Sequence, residues 1–255
     1  MSAFVAALQL TRPTRATIKY LMQDIWARRT ETGLTGEEFR EEVLLHFLRH
    51  IGEAHTAFSD EEGWSGKSKE PGPPVDVMVI PPEGERRFAY VSTFGSSLKK
   101  SGEPLAPGGK RRMEFVLAAP QTGDGKADLA MLNLAANTVR QFAKLAHVQS
   151  VRVSRGETVQ FARKPKPMFD GSKQVAFAFM APRLPADGFE TLRLKGGEKV
   201  DFVALMPIYR EELVYAHRKG PVRLAQALET GGAAEMVAID RRPVVRSLWS
   251  RILGR

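Results

Sequence analysis

Cysteine is absent from this chain of 255 residues, which excludes disulfides, thiolate metal sites and thiol nucleophiles together. Long apolar runs are missing as well. No stretch approaches the roughly 20 apolar residues that a membrane-spanning helix needs. The opening Met1-Ser2-Ala3-Phe4-Val5-Ala6-Ala7-Leu8-Gln9-Leu10 is apolar, but it has neither a basic leading region nor a clear cleavage site, so it does not read as a signal peptide. These features together predict a soluble, cytoplasmic protein. The apolar share of 43% is ordinary for a globular chain. A single domain of this size buries roughly 70–75% of its unfolded surface and needs no staples.

Catalytic signatures are equally scarce. His46 and His50 stand four apart on one predicted helix and could ligate one metal. There is no H-E-x-x-H arrangement, and the helical angle places His50 within the apolar stripe and His46 at its edge, so packing is the expected role of both. Gly66-Lys67-Ser68 resembles the end of a phosphate-binding loop. However, Glu61 stands where that motif needs glycine, and Glu70-Pro71-Gly72-Pro73-Pro74 stands where it needs a helix. Ser96-x-x-Lys99 and Ser97-x-x-Lys100 match a serine–lysine hydrolase pattern, with Lys195-Gly196-Gly197 as a faint third element. That chemistry wants the serine at a helix N-terminus, and Gly102, Pro104, Pro107 and Gly108 argue for a surface loop instead. Asp76 and Asp201 lie in or near apolar strands. A buried carboxylate must be paired, so each is a structural pin or a functional acid, with the pin as the default. No cofactor and no metal site is expected.

What the chain does have is charge, unevenly placed. Its net charge is +9, and from residue 129 onward 21 Lys and Arg face 11 Asp and Glu. The first 30 residues carry Arg12, Arg15, Lys19, Arg28 and Arg29 against Asp24 alone, whereas residues 31–62 are acidic. The tail from Arg241 to Arg255 holds five arginines and no acid. Such asymmetry fits a solvated basic face, or a partner that is nucleic acid, an acidic protein or an anionic surface. Val245, Leu248, Trp249 and Ile252 would share one face of a short basic helix in the tail. That helix could dock on its own domain, on an acidic partner, on lipid or on nucleic acid.

Periodicity predicts a first helix through Ile18, Leu21, Met22, Ile25 and Trp26, broken at Thr30-Glu31-Thr32-Gly33. Thr35 and Glu38 form a capping box for a second helix with Phe39, Val43, Phe47 and Ile51 on one stripe, Leu44 and Leu48 beside it, and Gly52 at its end. Strands are expected over 75–80, 88–94, about 113–119, 175–180 and 200–208. The 175–180 strand is apolar on both faces and reads as central. Residues 128–147 form the clearest helix, and residues 211–219 and 221–229 read as closing helices, the second with Pro221 in its first turn. Residues 59–74 and 98–109 read as loops. The expected fold class is α/β (α+β): a mixed β-sheet flanked by helices in a single compact domain. The expected division is an N-terminal extension with a helix over 1–35, a domain over 36–244 and a basic tail over 245–255.

Several of these stretches together resemble the suppressor-of-fused domain family. They are His46-Phe47-Leu48-Arg49-His50-Ile51-Gly52, the strand Val75-Asp76-Val77-Met78-Val79-Ile80-Pro81-Pro82, and the loop Thr93-Phe94-Gly95-Ser96-Ser97. Pro207-Ile208-Tyr209-Arg210-Glu211-Glu212-Leu213 and Ile239-Asp240-Arg241-Arg242-Pro243 complete the set, in order. The family's usual Gly-Met-Ser loop reads Gly95-Ser96-Ser97 here, and the first 35 residues look like an addition. The resemblance implies a protein-interaction domain without catalysis. Animal members hold a transcription factor through an extended peptide that adds to a sheet, and bacterial single-domain members include immunity proteins that neutralise a partner toxin. Partner contacts are then expected near Asp76, Thr93, Gly95, Ser96, Ser97, Tyr209 and Glu212. The alternatives are a nucleic-acid-associated protein using the basic C-terminal half and, more distantly, a serine–lysine hydrolase.

Overall fold

The computed structural model describes residues 33–59, 75–102, 109–148, 151–160, 164–168, 172–237 and 241–245. Within them the chain runs α1 (Gly36–His50), β1 (His55–Phe58), β2 (Asp76–Ile80), β3 (Phe88–Phe94), a 3-10 turn (Ser96–Leu98), β4 (Arg112–Pro120) and α2 (Gly125–Val148). It continues through β5 (Thr158–Val159), β6 (Gln174–Met180), β7 (Thr191–Arg193), β8 (Lys199–Tyr209), α3 (Arg210–Lys219) and α4 (Pro221–Thr230). The expected helices over 18–26 and in the C-terminal tail, and the Gly66-Lys67-Ser68 stretch, lie outside the described residues.

All eight strands join one mixed sheet in the order β1-β2-β3-β4-β8-β6-β5, with β7 also pairing β8. Among these eight described strands only β4 and β8 run parallel; the other pairs are antiparallel. Alternation along each strand sorts the side chains into two cores. Val77, Val79, Val91, Phe115 and Leu117 face α2, whose Ala135, Val139, Phe142 and Ala146 come down on them. Met78, Ile80, Tyr90, Phe94 and Val116 face the other way, beneath α1, α3 and α4. The alanines let α2 approach closely, and Phe142 meets Phe177 and Phe179 edge-on at 5.2 and 5.7 Å. Each such pair adds about 0.5–1.5 kcal/mol beyond its buried area.

The helix starts follow the expected chemistry, with one shift. Thr35 Oγ1 accepts from Glu38 N at 3.2 Å while Glu38 Oε2 accepts from Thr35 N at 2.7 Å, closing the capping box of α1. In α2 the helix opens three residues before Asp128, because Asp124 Oδ1 already accepts from Lys126 N at 3.0 Å. Asp128 instead turns back to accept from Thr122 N, Thr122 Oγ1 and Gly123 N, bracing the approach to the helix.

Three further points differ from the sequence reading. The strand at 174–180 is buried on both faces but lies near one edge, with only the two-residue β5 beyond it; β8 is the inner strand. His46 is the buried histidine, stacked on Phe189 and Phe202 at 5.2 and 5.1 Å, whereas His50 overhangs the end of α1 and is half-buried. Leu48 is not at the flank of the apolar stripe but 59% exposed.

Beyond Ala204, strands β4 and β8 part company. The gap is filled from far along the chain: Ala118 N donates to Glu235 O at 2.7 Å, and Val237 N donates to Ala118 O at 3.0 Å. The inserted segment thus acts as a short parallel strand beside β4. Beneath it the Glu235 carboxylate accepts from Tyr90 Oη, Arg183 N and Leu184 N at 2.9–3.1 Å. Complete burial beside that carboxylate holds the Tyr90 hydroxyl well above its ordinary pKa, so it stays a proton donor.

Candidate functional site

At the end of the sheet where β3 stops and β4 begins, the chain turns tightly through residues 93–97. Gly95 takes φ 102, a conformation costly for any side chain, and this lets Ser96–Leu98 wind into a single 3-10 turn. The turn closes around the carboxylate of Glu114, which is fully buried. Glu114 Oε1 accepts from Gly95 N and Ser97 N at 3.0 Å and from Ser97 Oγ at 2.5 Å, and Oε2 accepts from Thr93 Oγ1 at 2.6 Å. Thr93 Oγ1 in turn accepts from Phe115 N at 2.8 Å, so the cage is tied to the ladder of β4. Burial pushes the Glu114 carboxyl above its usual range, and the four donors only partly offset this.

Arg112 completes the turn from the outside. Its Nη1 donates to Ser97 O and Leu98 O at 3.1 and 2.9 Å, capping the carbonyls of the turn, while Nε reaches Glu198 Oε2 at 3.3 Å. The expected strand over about 113–119 leaves out Arg112, and the role of neither Arg112 nor Glu114 is evident from the sequence pattern. A signal for their placement was there: two charged residues at i and i+2 ahead of an apolar strand place both side chains on one face.

Ser96 and Ser97, expected on a surface loop, have no exposed surface. Ser97 Oγ is committed to Glu114. Ser96 Oγ lies 3.4 Å from His147 Nε2, but that nitrogen is also 3.0 Å from Ser96 O. The carbonyl can only accept, so Nε2 carries the proton and is not available to take one from the serine. Burial lowers the His147 pKa, keeping the ring neutral. The helix that a serine–lysine enzyme would need is a three-residue turn.

Around this rigid turn lies a basic rim. Lys100, Lys110, Arg193, Lys195 and Lys199 are exposed there, brought together by the Ser101–Arg111 bridge and by the β7–β8 hairpin. Glu198 offsets part of this charge through Lys100 at 3.1 Å, and Arg111 pairs with Asp201 at 2.9 Å. Asp201 is therefore a pinned acid. Asp76, which pairs with Phe94 across β2 and β3, is buried within the electrostatic reach of Arg40.

The second group of expected residues is not brought to this place. From its register, Tyr209 stands six residues further along β8 than Val203, the partner of Phe115, at roughly 3.3 Å per residue. There Glu212 accepts from Tyr209 N at 2.9 Å, capping α3, and from both terminal nitrogens of Arg241 at 2.7–2.8 Å. Arg241 also donates to Pro207 O at 2.7 Å and lies over the Tyr209 ring at 4.9 Å. Glu212 is fully buried, Tyr209 nearly so. The Thr93, Ser96, Ser97 and Glu212 side chains thus point inward, and a partner would meet the surfaces they shape rather than the groups themselves. His46 Nε2 sits 2.9 Å from Phe189 O, inside an aromatic cluster. Among the described residues no group of three or more His, Asp or Glu is placed to hold a metal ion, and no helix is long and apolar enough to cross a membrane.

Known proteins place this architecture. A solved suppressor of fused homologue from Neisseria gonorrhoeae superposes with a TM-score of 0.56 at 15% identity, covering 83% of this chain and 97% of that one. A chain of the Sufu–Fu complex superposes with a TM-score of 0.54 at 13% identity, covering 85% and 95%. At such identities the likeness is one of fold. No curated protein matches the sequence. The profile of the suppressor of fused protein (SUFU) family matches residues 71–242, about two thirds of the sequence, and the chain belongs to that family.

Proposed function

We infer that this chain is a non-enzymatic protein-binding domain whose partner engages the sheet end built by residues 93–97. The family match carries this reading, and the Sufu–Fu complex supports it, since a chain of the same fold occurs there with a protein partner. The geometry fits the role. A turn locked by Glu114 and Arg112 presents a preorganised surface, which lowers the ordering cost of association. The exposed lysines and arginine around it favour a partner with an acidic face, through steering and charge complementarity. Cytoplasmic residence and an immunity role, the neutralising of a partner toxin, are the narrower form of the reading. With a net charge of +9, an acidic toxin suits it better than a basic nuclease. Asp76, Tyr209 and Glu212 then serve by holding the sheet and α3 in place.

The same charge favours a second reading, a nucleic-acid-associated protein. Affinity capture of the tagged chain from its native lysate, with and without nuclease, separates the two. One stoichiometric protein that survives nuclease and is lost on Lys110→Glu/Lys199→Glu substitution supports the binding domain. Nucleic acid with many proteins, all released by nuclease, overturns it.

A further inference from the structure

The basic rim beside the Ser96–Leu98 turn carries an acid of its own. Glu198 stands at the tip of the β7–β8 hairpin, directly after Gly196 and Gly197, and its side chain is 33% exposed. Its carboxylate bridges two cations from elsewhere in the chain: Oε1 accepts from Lys100 Nζ at 3.1 Å and Oε2 from Arg112 Nε at 3.3 Å. The two cations are differently prepared. Arg112 is buried and its Nη1 is committed to Ser97 O and Leu98 O, so the guanidinium is fixed with its Nε edge toward Glu198. The Lys100 side chain is 43% exposed on a flexible stem, and its ammonium can follow a carboxylate. A fixed guanidinium beside an adaptable ammonium is a receiver for one Asp or Glu side chain.

Glu198 fills that receiver without being built into it. Donation from Lys100 holds its carboxyl below the ordinary pKa, with the charge of Arg112 adding to the effect, so it stays ionised and covers both cations. Its backbone, however, is secured by other bonds: Leu194 N donates to Glu198 O at 2.9 Å, and Lys195 N donates to Glu42. The side chain is therefore free to leave while the hairpin tip stays. The other rim acid, Asp201, differs. It lies within β8, in register with Met113 and Thr191, and its partner Arg111 also donates to Val153 O. Solvent screens an exposed pair such as Lys100–Glu198, which makes it readily exchanged for another of the same chemistry.

We propose, resting on the reading of this sheet end as the surface for an acidic partner, that Glu198 is a built-in competitor for that partner. It occupies Lys100 and Arg112 in the free protein, and a carboxylate of the partner displaces it on binding. Glu198 thereby sets a threshold. An acidic surface that places no side chain against Lys100 and Arg112 gains only the outer lysines of the rim.

The test is the binding of a fluorescein-labelled polyglutamate peptide to the full-length protein at low salt, followed by anisotropy. Glu198→Gln keeps the shape of the side chain and should tighten binding about threefold, in line with one exposed ion pair. The gain should vanish when Lys100→Gln is also present, because the two carboxylates then have no ammonium to compete for. Glu190→Gln removes the same charge from the other end of the hairpin, where Glu190 O accepts from Phe202 N, and should change binding far less. Equal gains from Glu190→Gln and Glu198→Gln would overturn the proposal, as would a Glu198→Gln gain that survives Lys100→Gln; the acid would then act through its charge alone. If Lys110→Glu/Lys199→Glu abolishes binding while Glu198→Gln changes nothing, the proposal falls and the acidic-partner reading stands. If no form binds the peptide, both fall.

Discussion

Two buried glutamates anchor opposite ends of this sheet, and different chemistry holds them. Glu114 is gripped by hydroxyls and amides alone, all from the turn it stabilises and the threonine before it. Glu212 is gripped by a guanidinium donated from 29 residues away, plus the amides of Tyr209 and Val244. The first arrangement joins one strand to one turn through neutral donors; the second is an ion pair with the C-terminal segment. A buried charge held only by neutral donors is eased by protonation, so the Glu114 end organises a surface without depending on a counter-ion. The Glu212 end clamps the C-terminal segment to β8 and is broken by removing either partner.

Truncating the clamp is expected to cost the most. Arg241→Met strips Glu212 of its cation in a dry site and loses the stacking on Tyr209, and should destabilise the protein by about 3–5 kcal/mol in urea unfolding. An effect below 1 kcal/mol would mean that the pair is solvated.

Emptying the cage comes next. Glu114→Ala leaves four donors without an acceptor and should cost roughly 2–4 kcal/mol by the same measurement. Glu114→Gln sharpens the contrast through pH. Because the folded-state pKa is raised, the wild-type contribution is complete below the ordinary glutamate range and is lost as pH rises through the folded value. The glutamine variant lacks this dependence, so the wild type should gain stability relative to it as pH falls. A wild type that loses stability relative to the variant in acid would show that the carboxylate, not the acid, is the favoured form. The smallest effect belongs to Ser97→Ala, which removes one of four donors and should cost about 1 kcal/mol.

Much of the fold was legible because its signals are local. The capping box of α1, the alternation in β2 and β3 and the alanine-rich face of α2 each state their own structure within a dozen residues. β1, β5 and β7 did not, since strands of two to four residues exist only through the neighbour they pair with. The site was half legible. Residues 93–97 and 209–212 stood out, but their purpose depends on Glu114 and Arg241, and no periodicity links a turn to an acid 17 residues on. Lacking that acid, the two serines read as exposed. The helical angle misjudged His46 and His50 because it ignores where a helix runs off the edge of the layer beneath it.

The late insertion at Ala118 bears on how this protein is made. Residues 235–237 occupy the gap between β4 and β8, so while the chain is being synthesised the sheet remains unfinished until these residues have emerged. During that interval Ala118 has an open backbone edge on a strand of strongly apolar sequence, available to any other extended segment. Closure then joins residues well over a hundred positions apart, a slow kind of contact to form. Damage to this segment should therefore appear as aggregation of newly made protein in addition to the stability lost by the molecules that fold.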